Sequence, residues 1–281
     1  MELGIDLGGT NLRLGLVENG NIVDLTVCPS IPKECSYDES VGYLVDAVCK
    51  VFVPEIKGIG IGIPSVVDSR SGIVYDVMNI PQWKEVPLKE ILSNAFKGVE
   101  VSVNNDSNCF ALGEARFGKG RGVSTMVGIT LGTGVGSGIV IDGKLYSGHN
   151  TGAGEIGCLP YLDKTLEDYC ASKFFRDNYG MSPKETADLA RQGHRDMQTA
   201  WNHFGKHIAM LIEAAMYAYD PEMIIFGGGL AASHDLYEAS MNEELMGFAY
   251  QKSLANLRIE YSELKEVAIL GAASLVTNNS R

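Results

Sequence analysis

Apolar and polar positions along this chain follow two periods, and the switches between them lay out its elements. The first ~30 residues predict three strands in a meander. The second runs from Leu12 to Val17 and the third from Ile22 to Cys28, with a tight-turn signal, Asn19-Gly20, between them. From Asp38 to Val53 the spacing becomes helical, with Val41, Leu44, Val45, Val48 and Val51 on one side. Ile56 to Ile63 alternates glycine with isoleucine and reads as a buried strand that Pro64 ends. A loop from Ser65 to Gly72, a short strand from Ile73 to Val77 and a helix from Pro87 to Phe96 follow. That helix has proline in its first turn, where the missing N–H costs nothing. Val99 to Val103 predicts a strand running into Asn104-Asn105-Asp106, which opens a helix through Phe117.

The second half repeats the theme. A hairpin spans Met126 to Tyr146, with a turn at Asp142-Gly143, and a long loop covers Ser147 to Thr165. Met197 to Tyr219 predicts an amphipathic helix that ends at Asp220-Pro221, because the residue before proline leaves the α region. Met223 to Phe226 is a strand entering Gly227-Gly228-Gly229, with a helix after it, and the Ala-rich Glu266 to Thr277 is a closing helix.

Two glycine-rich turns occupy matching places in these halves. Gly4-Ile5-Asp6-Leu7-Gly8-Gly9-Thr10-Asn11 recurs 124 positions later as Gly128-Ile129-Thr130-Leu131-Gly132-Thr133-Gly134-Val135. Each lies between two strand-like runs, and the offset fits a duplicated domain better than a solenoid. Glycine tolerates positive φ and lets backbone N–H groups approach phosphate oxygens. The domains expected are 1–117, completed by 266–281, and 118–265, with Gly118-Lys119-Gly120-Arg121-Gly122 as the hinge.

Composition narrows the function classes. With 281 residues the chain can build two cores, and 45% hydrophobic with 21% charged residues is ordinary for a globular protein. A net charge of −12 and no basic run argue against a nucleic-acid partner. No apolar stretch approaches the ~18 residues of a membrane span, and the start lacks a signal-peptide pattern, so the cytoplasm is expected. The six cysteines show no C-x-x-C spacing and read as reduced thiols.

Asp106, at a strand-to-helix junction, is the sharpest chemical candidate. A carboxylate there can cap the helix, or orient an acceptor hydroxyl and take its proton. Asn105 beside it can hydrogen-bond a neighbouring hydroxyl. Asp6 ends the first strand and offers a hard oxygen to Mg²⁺, directly or through water, against nucleotide phosphates. Gly8, Gly9, Thr10 and Asn11 form one candidate phosphate loop, and Gly132, Thr133 and Gly134 the other. Gly227, Gly228 and Gly229 leave room for a ribose or adenine. Glu155, in Gly152-Ala153-Gly154-Glu155-Ile156-Gly157, suits sugar hydroxyls, whereas Glu167 alone reads as a first-turn helix acid. His203 and His207 stand i, i+4 without a third ligand and read as surface or groove residues. A G-x-G-x-x-G loop opening directly into a helix is absent from the first motif, which disfavours a dinucleotide site.

These segments resemble the ROK family of sugar kinases, within the actin/hexokinase/Hsp70 ATPase superfamily, over essentially the whole chain. GIDLGGTNLRLGLV resembles its first phosphate motif, NNDSNCFALGEARFG the segment with the catalytic aspartate, and GITLGTGVGSGIVIDGKLYSG the second phosphate motif. GAGEIG resembles the sugar loop, PEMIIFGGGL the adenosine region, and LGAASLV the terminal helix. The resemblance implies an α/β fold of two ribonuclease-H-like, actin-like ATPase domains with mixed five-stranded sheets and a cleft between them. It further implies an ATP- and Mg²⁺-dependent hexose kinase, commonly a homodimer, with Asp106 as base on a sugar hydroxyl, usually the 6-hydroxyl. Asn105, Glu155 and Glu167 then hold the sugar, and Asn79 adds a contact.

One departure stands out. Family members usually follow GEIG with a His and a cysteine cluster that bind a structural zinc. Here Cys158 replaces the His, Leu159 to Thr165 is too short for the cluster, and only Cys170 follows, so no zinc is expected. The substitution also leaves the identity of the hexose open. The rivals are a sugar-responsive repressor, disfavoured by a phosphate motif at residue 4 and by the charge, and a sugar-binding pseudokinase without turnover.

Overall fold

The computed structural model describes residues 1–278, and their side chains through 276; residues 279–281 of the expected closing segment lie outside the described residues. The chain folds as two compact units. One comprises Met1–Arg121, Lys144–Ala153 and the segment from Leu264; the other comprises Gly122–Gly143 and Gly154–Glu263. Segment 144–153, assigned from sequence to the second domain, therefore groups with the first unit.

The first unit runs β1 (Glu2–Leu7), β2 (Asn11–Glu18), β3 (Asn21–Pro29), α1 (Tyr37–Val51), β4 (Gly58–Ile63), then short strands β5 (Val66–Asp68), β6 (Ile73–Tyr75) and β7 (Glu85–Pro87). It continues with α2 (Leu88–Ala95), β8 (Glu100–Asn105) and α3 (Asp106–Phe117). Its main sheet has the order β3-β2-β1-β4-β8, antiparallel across β1–β2–β3 and parallel across β1–β4–β8. Helix α1 begins where Ser36 and Glu39 cap one another: Glu39 N–H donates to Ser36 Oγ and Ser36 N–H to the Glu39 carboxylate. Pro87 stands at the N-cap of α2 rather than inside its first turn.

The second unit holds β9 (Met126–Leu131) and β10 (Val135–Ile141), and β11 (Lys144–Tyr146) follows them in the sheet order. Then come a two-strand hairpin, β12 (Pro160–Tyr161) and β13 (Lys164–Thr165), and helices α4 (Leu166–Cys170), α5 (Ser172–Tyr179), α6 (Pro183–Arg191) and α7 (Arg195–Tyr219). Strand β14 (Met223–Gly227), α8 (Glu238–Leu245), α9 (Gln251–Asn256) and β15 (Arg258–Tyr261) complete it. The sheet order is β11-β10-β9-β14-β15, the same plan as the first: third, second, first, fourth, fifth. The closing helix α10 (Val267–Asn278) belongs to the first unit.

The glycine–isoleucine alternation of β4 now has a cause. Ile59, Ile61 and Ile63 are fully buried with the core that includes Leu3, Ile5, Leu44 and Trp83. Each such side chain contributes about 1.5–3 kcal/mol by leaving water. The glycines face the helices. A Cβ on Gly60 would lie 1.7 Å from the Ala272 carbonyl oxygen, one on Gly58 2.5 Å from Val276, and one on Gly62 3.0 Å from Cys109 Sγ. Where α3 crosses α10, a Cβ on Gly271 would lie 1.7 Å from the Cys109 carbonyl oxygen. Helices α3 and α10 thus lie against the sheet at backbone distance, and this places the first residue of α3 beside the end of β4.

Candidate active site

The first unit gathers Asp6, the Gly8–Thr10 turn, Asn79, Asn105 and Asp106. The turn is closed by Gly8 N–H donating to Asn11 O at 3.0 Å and fastened by Ser30 Oγ donating to Gly8 O at 2.6 Å. Gly9 and Thr10 are exposed. A Cβ on Gly9 would sit 2.8 Å from Asn79 Nδ2, so the structure brings Asn79 against the turn.

Asn105, and not Asp106, caps α3. Asn105 Oδ1 accepts from Ser107 N at 2.8 Å and from Asn108 N at 3.2 Å, while Nδ2 donates to Ser65 O at 3.2 Å. Both polar atoms of the amide are therefore engaged in shaping the junction. Asp106, at the first helical position, is released from capping. Its Oδ1 accepts from Ser107 N at 2.8 Å. Burial raises the Asp106 carboxyl above the ordinary aspartate range, against the lowering effect of the Ser107 hydrogen bonds.

Asp6 pairs across the ladders with Arg13 of β2 and Gly62 of β4. Burial pushes its carboxyl up to about 6, and the Asp106 charge adds to this; Arg13 opposes it. Arg13 itself donates to Glu266 Oε2 at 3.0 Å, so its charge is shared. Two partly buried carboxylates with so little compensation suit a divalent cation. Magnesium keeps most of its water shell and is commonly held through one or two carboxylates plus phosphate oxygens, which this donor set fits. Among the described residues no three His, Cys, Asp or Glu side chains gather as an all-protein metal cage.

The second unit presents the other turn. Gly132 N–H donates to Gly134 O at 3.0 Å, and Ser172 N–H, at the start of α5, donates to Gly132 O at 2.9 Å. Glu167, in the first turn of α4, accepts from Val135 N through Oε2 at 2.8 Å; a Cβ on Gly134 would lie 2.5 Å from that oxygen. One Glu167 oxygen thus fixes the turn, a role the sequence did not reveal. The Gly154–Gly157 loop wraps β10. Gly154 has φ 97°, and a Cβ there would lie 2.6 Å from Ser137 O. That leaves Glu155 and Cys158 exposed, Cys158 Sγ 4.0 Å from Glu155 Oε2. Partial burial and then the Glu155 and Glu167 charges raise the Cys158 thiol, which keeps it protonated at neutral pH. Glu155, Cys158 and Glu167 are therefore neighbours.

Gly228, at φ 88°, packs where a Cβ would meet Leu131 O at 2.4 Å, and Leu230 N–H donates to the same carbonyl at 3.1 Å. The triple glycine is thereby clipped to the end of β9. Beside it lies a cavity of about 440 Å³, lined by Gly132, Thr133 and Gly229 together with Ser172, Asp188, Arg191, Trp201 and other residues of α6 and Leu230–Ser233. The helical lining went unread because those positions carry no motif. Arg191 closes one side by pairing with Asp235 through two bonds, 2.7 and 3.0 Å.

In place of the long expected loop, β12 and β13 form a hairpin whose tip, Leu162, has φ 51°. Tyr161 stacks edge-on with Tyr169 and bonds His207 Nδ1 at 3.1 Å. Burial holds the His207 imidazole down at about 4, so the ring is neutral, and aromatic packing pins this hairpin. His203 is exposed.

Two sheets of one repeated order, each opening on a glycine turn, define the actin-like ATPase fold. The chain belongs to the ROK family, whose model matches residues 2–279. It is 29% identical to a glucokinase of Thermotoga maritima, over 98% of this chain and 96% of that protein. It is 32% identical to an N-acetyl-D-glucosamine kinase of Haemophilus influenzae, over 85% and 87%. The crystal structure of a ROK family glucokinase from Streptomyces griseus with glucose and AMPPNP superposes with a TM-score of 0.80 at 25% identity, covering 98% of each chain.

Proposed function

We propose that this protein is an ATP-dependent hexose kinase that transfers the γ-phosphoryl group to a sugar hydroxyl, the 6-hydroxyl, with Asp106 as general base. The observation that carries the reading is the junction before α3. Asn105 takes over the capping, so the Asp106 carboxylate sits at a helix N-terminus, partly buried, with a raised pKa, and accepts from Ser107 N–H rather than closing the cap. A base in this state accepts a proton more readily than an exposed aspartate.

In the reaction the hydroxyl oxygen forms a bond to the γ-phosphorus as its proton passes to Asp106, and the bond from phosphorus to the β–γ bridging oxygen breaks, releasing ADP. The Gly8–Thr10 and Gly132–Gly134 turns offer backbone N–H groups and threonine hydroxyls to phosphate oxygens. Asp6 would hold magnesium through its water shell, and a bound ion would neutralise phosphate charge. The cavity beside Gly229 receives the nucleoside. Glu155 and the second oxygen of Glu167 accept from sugar hydroxyls, and Asn79 and Asn105 add sugar contacts. Cys158 is a small, neutral neighbour of Glu155, which leaves space around the sugar and favours no charged substituent.

Coupled ADP release with Mg-ATP across glucose, fructose, mannose, allose and the N-acetylated hexoses tests the reading. Turnover on at least one sugar, with a sugar 6-phosphate identified by NMR, is expected. Sugar binding without turnover would instead favour a regulatory sugar-binding protein.

A further inference from the structure

Arg191 is the last residue of α6, and three other cavity-lining residues, Lys184, Ala187 and Asp188, stand one or two turns before it on the same face. Its side chain reaches the 3₁₀ segment Ala231–Leu236, which follows the triple glycine. There Arg191 Nε donates to Asp235 Oδ2 at 3.0 Å and Nη2 to Asp235 Oδ1 at 2.7 Å, with Ser233 Oγ 3.4 Å from Nη2. Two parallel donors meet two carboxylate oxygens, and this bidentate geometry fixes the plane of a guanidinium as well as its position.

Both bonds to Asp235 lie along one edge of the group and in its plane, so its two faces take no part in them. The pair is half-exposed, with side-chain exposures of 42% for Arg191 and 51% for Asp235. An exposed ion pair adds little to stability, so the pairing is better accounted for by what it holds in place. The charge of Arg191 is poorly placed to serve a phosphate, because Asp235 neutralises it and Asp188 stands one turn before it. A planar, weakly hydrated guanidinium is, however, well suited to stack on an aromatic ring.

This inference rests on the reading of the cavity beside Gly229 as the nucleoside site. We propose that the purine base of the nucleotide stacks on the face of the Arg191 guanidinium, and that Asp235 is the positioning residue that holds this platform flat. Such stacking strengthens as water is excluded and needs no hydrogen bond to the edge of the base. Affinity for the nucleoside portion then depends on the plane of residue 191 and not on its charge.

Calorimetric Kd values of the full chain for Mg-ADP, and for adenosine in competition with it, test this. Arg191→Lys keeps the charge and removes the plane, and should weaken both ligands by about 3–30-fold. Asp235→Ala keeps the guanidinium and removes its support, and should also weaken adenosine. A purely electrostatic role predicts the opposite for Asp235→Ala: the uncompensated positive charge would tighten ADP and leave adenosine unchanged. Both side chains are half-exposed, so Tm should stay close to that of the wild type, which checks that the variants are folded. Unchanged adenosine affinity in Arg191→Lys, or tighter ADP with unchanged adenosine in Asp235→Ala, would overturn the stacking role and leave the kinase reading standing. A wild type that binds neither ADP nor adenosine would overturn the nucleoside reading of the cavity, and this inference with it.

Discussion

Replacing Asp6 by Asn should stabilise the metal-free protein while impairing its reaction. The folded-state carboxyl of Asp6 sits at about 6 against an ordinary 3.8, because burial and the Asp106 charge disfavour its ionised form. The folded state thus binds this proton more tightly than the unfolded chain. Below the unfolded value both states are protonated and Asp6 costs nothing. The cost grows as pH rises between the two values and is complete above about 6. A shift of roughly two units corresponds to about 3 kcal/mol, and partial exposure reduces this to about 1–3 kcal/mol. Asparagine keeps the shape and never ionises. For a unit of this size the gain should raise Tm by roughly 3–8 °C at pH 8 and by nothing measurable near pH 4. Thermal unfolding in EDTA, followed by circular dichroism at both pH values, reads the difference. Equal Tm values at pH 8, or the same gain at both, would refute the electrostatic account of Asp6. Magnesium should raise the wild-type Tm and leave that of Asp6→Asn nearly unchanged.

Gly60→Ala, which drives a Cβ to 1.7 Å from Ala272 O, should destabilise by about 3 kcal/mol or more, whereas Gly42→Ala in α1, with nothing within 4 Å, should stabilise by about 0.5–1 kcal/mol; thermal unfolding compares them. Glu167→Ala removes the acceptor of Val135 N–H and should raise KM for both ATP and sugar; Glu167→Gln keeps an acceptor and should affect mainly the sugar. Steady-state kinetics separate the two. Trp201 lines the proposed nucleoside cavity, while Trp83 is buried in the first unit's core. ADP should therefore change the tryptophan emission of Trp83→Phe and not that of Trp201→Phe.

Much of the architecture was legible because long strands and helices repeat their periods. Asp106 opens α3 where Asn104-Asn105-Asp106 met the helical pattern, and the matching glycine turns foretold two sheets of one plan. The division of labour at that junction was not legible. Asn105 and Asp106 are both good N-cap residues, and only the coordinates show that the amide caps and the acid does not. The hairpin at 160–165 escaped notice because each strand is two residues long and its turn uses Leu162, a residue that signals no left-handed conformation. The glycines of β4 read as a strand pattern, but their partners on α3 and α10 lie ~50–220 residues away in sequence, and no local period encodes them. The lining of the cavity beside Gly229 by α6 and α7 has the same origin.

The central claim is that Asp106 takes the proton of a sugar hydroxyl during phosphoryl transfer. Its most direct test is kcat of Asp106→Asn beside calorimetric binding of nucleotide and sugar to the same variant. The account predicts a fall in kcat of about 10²–10⁴-fold with both ligands still bound. A variant that keeps its turnover with its ligands would contradict it.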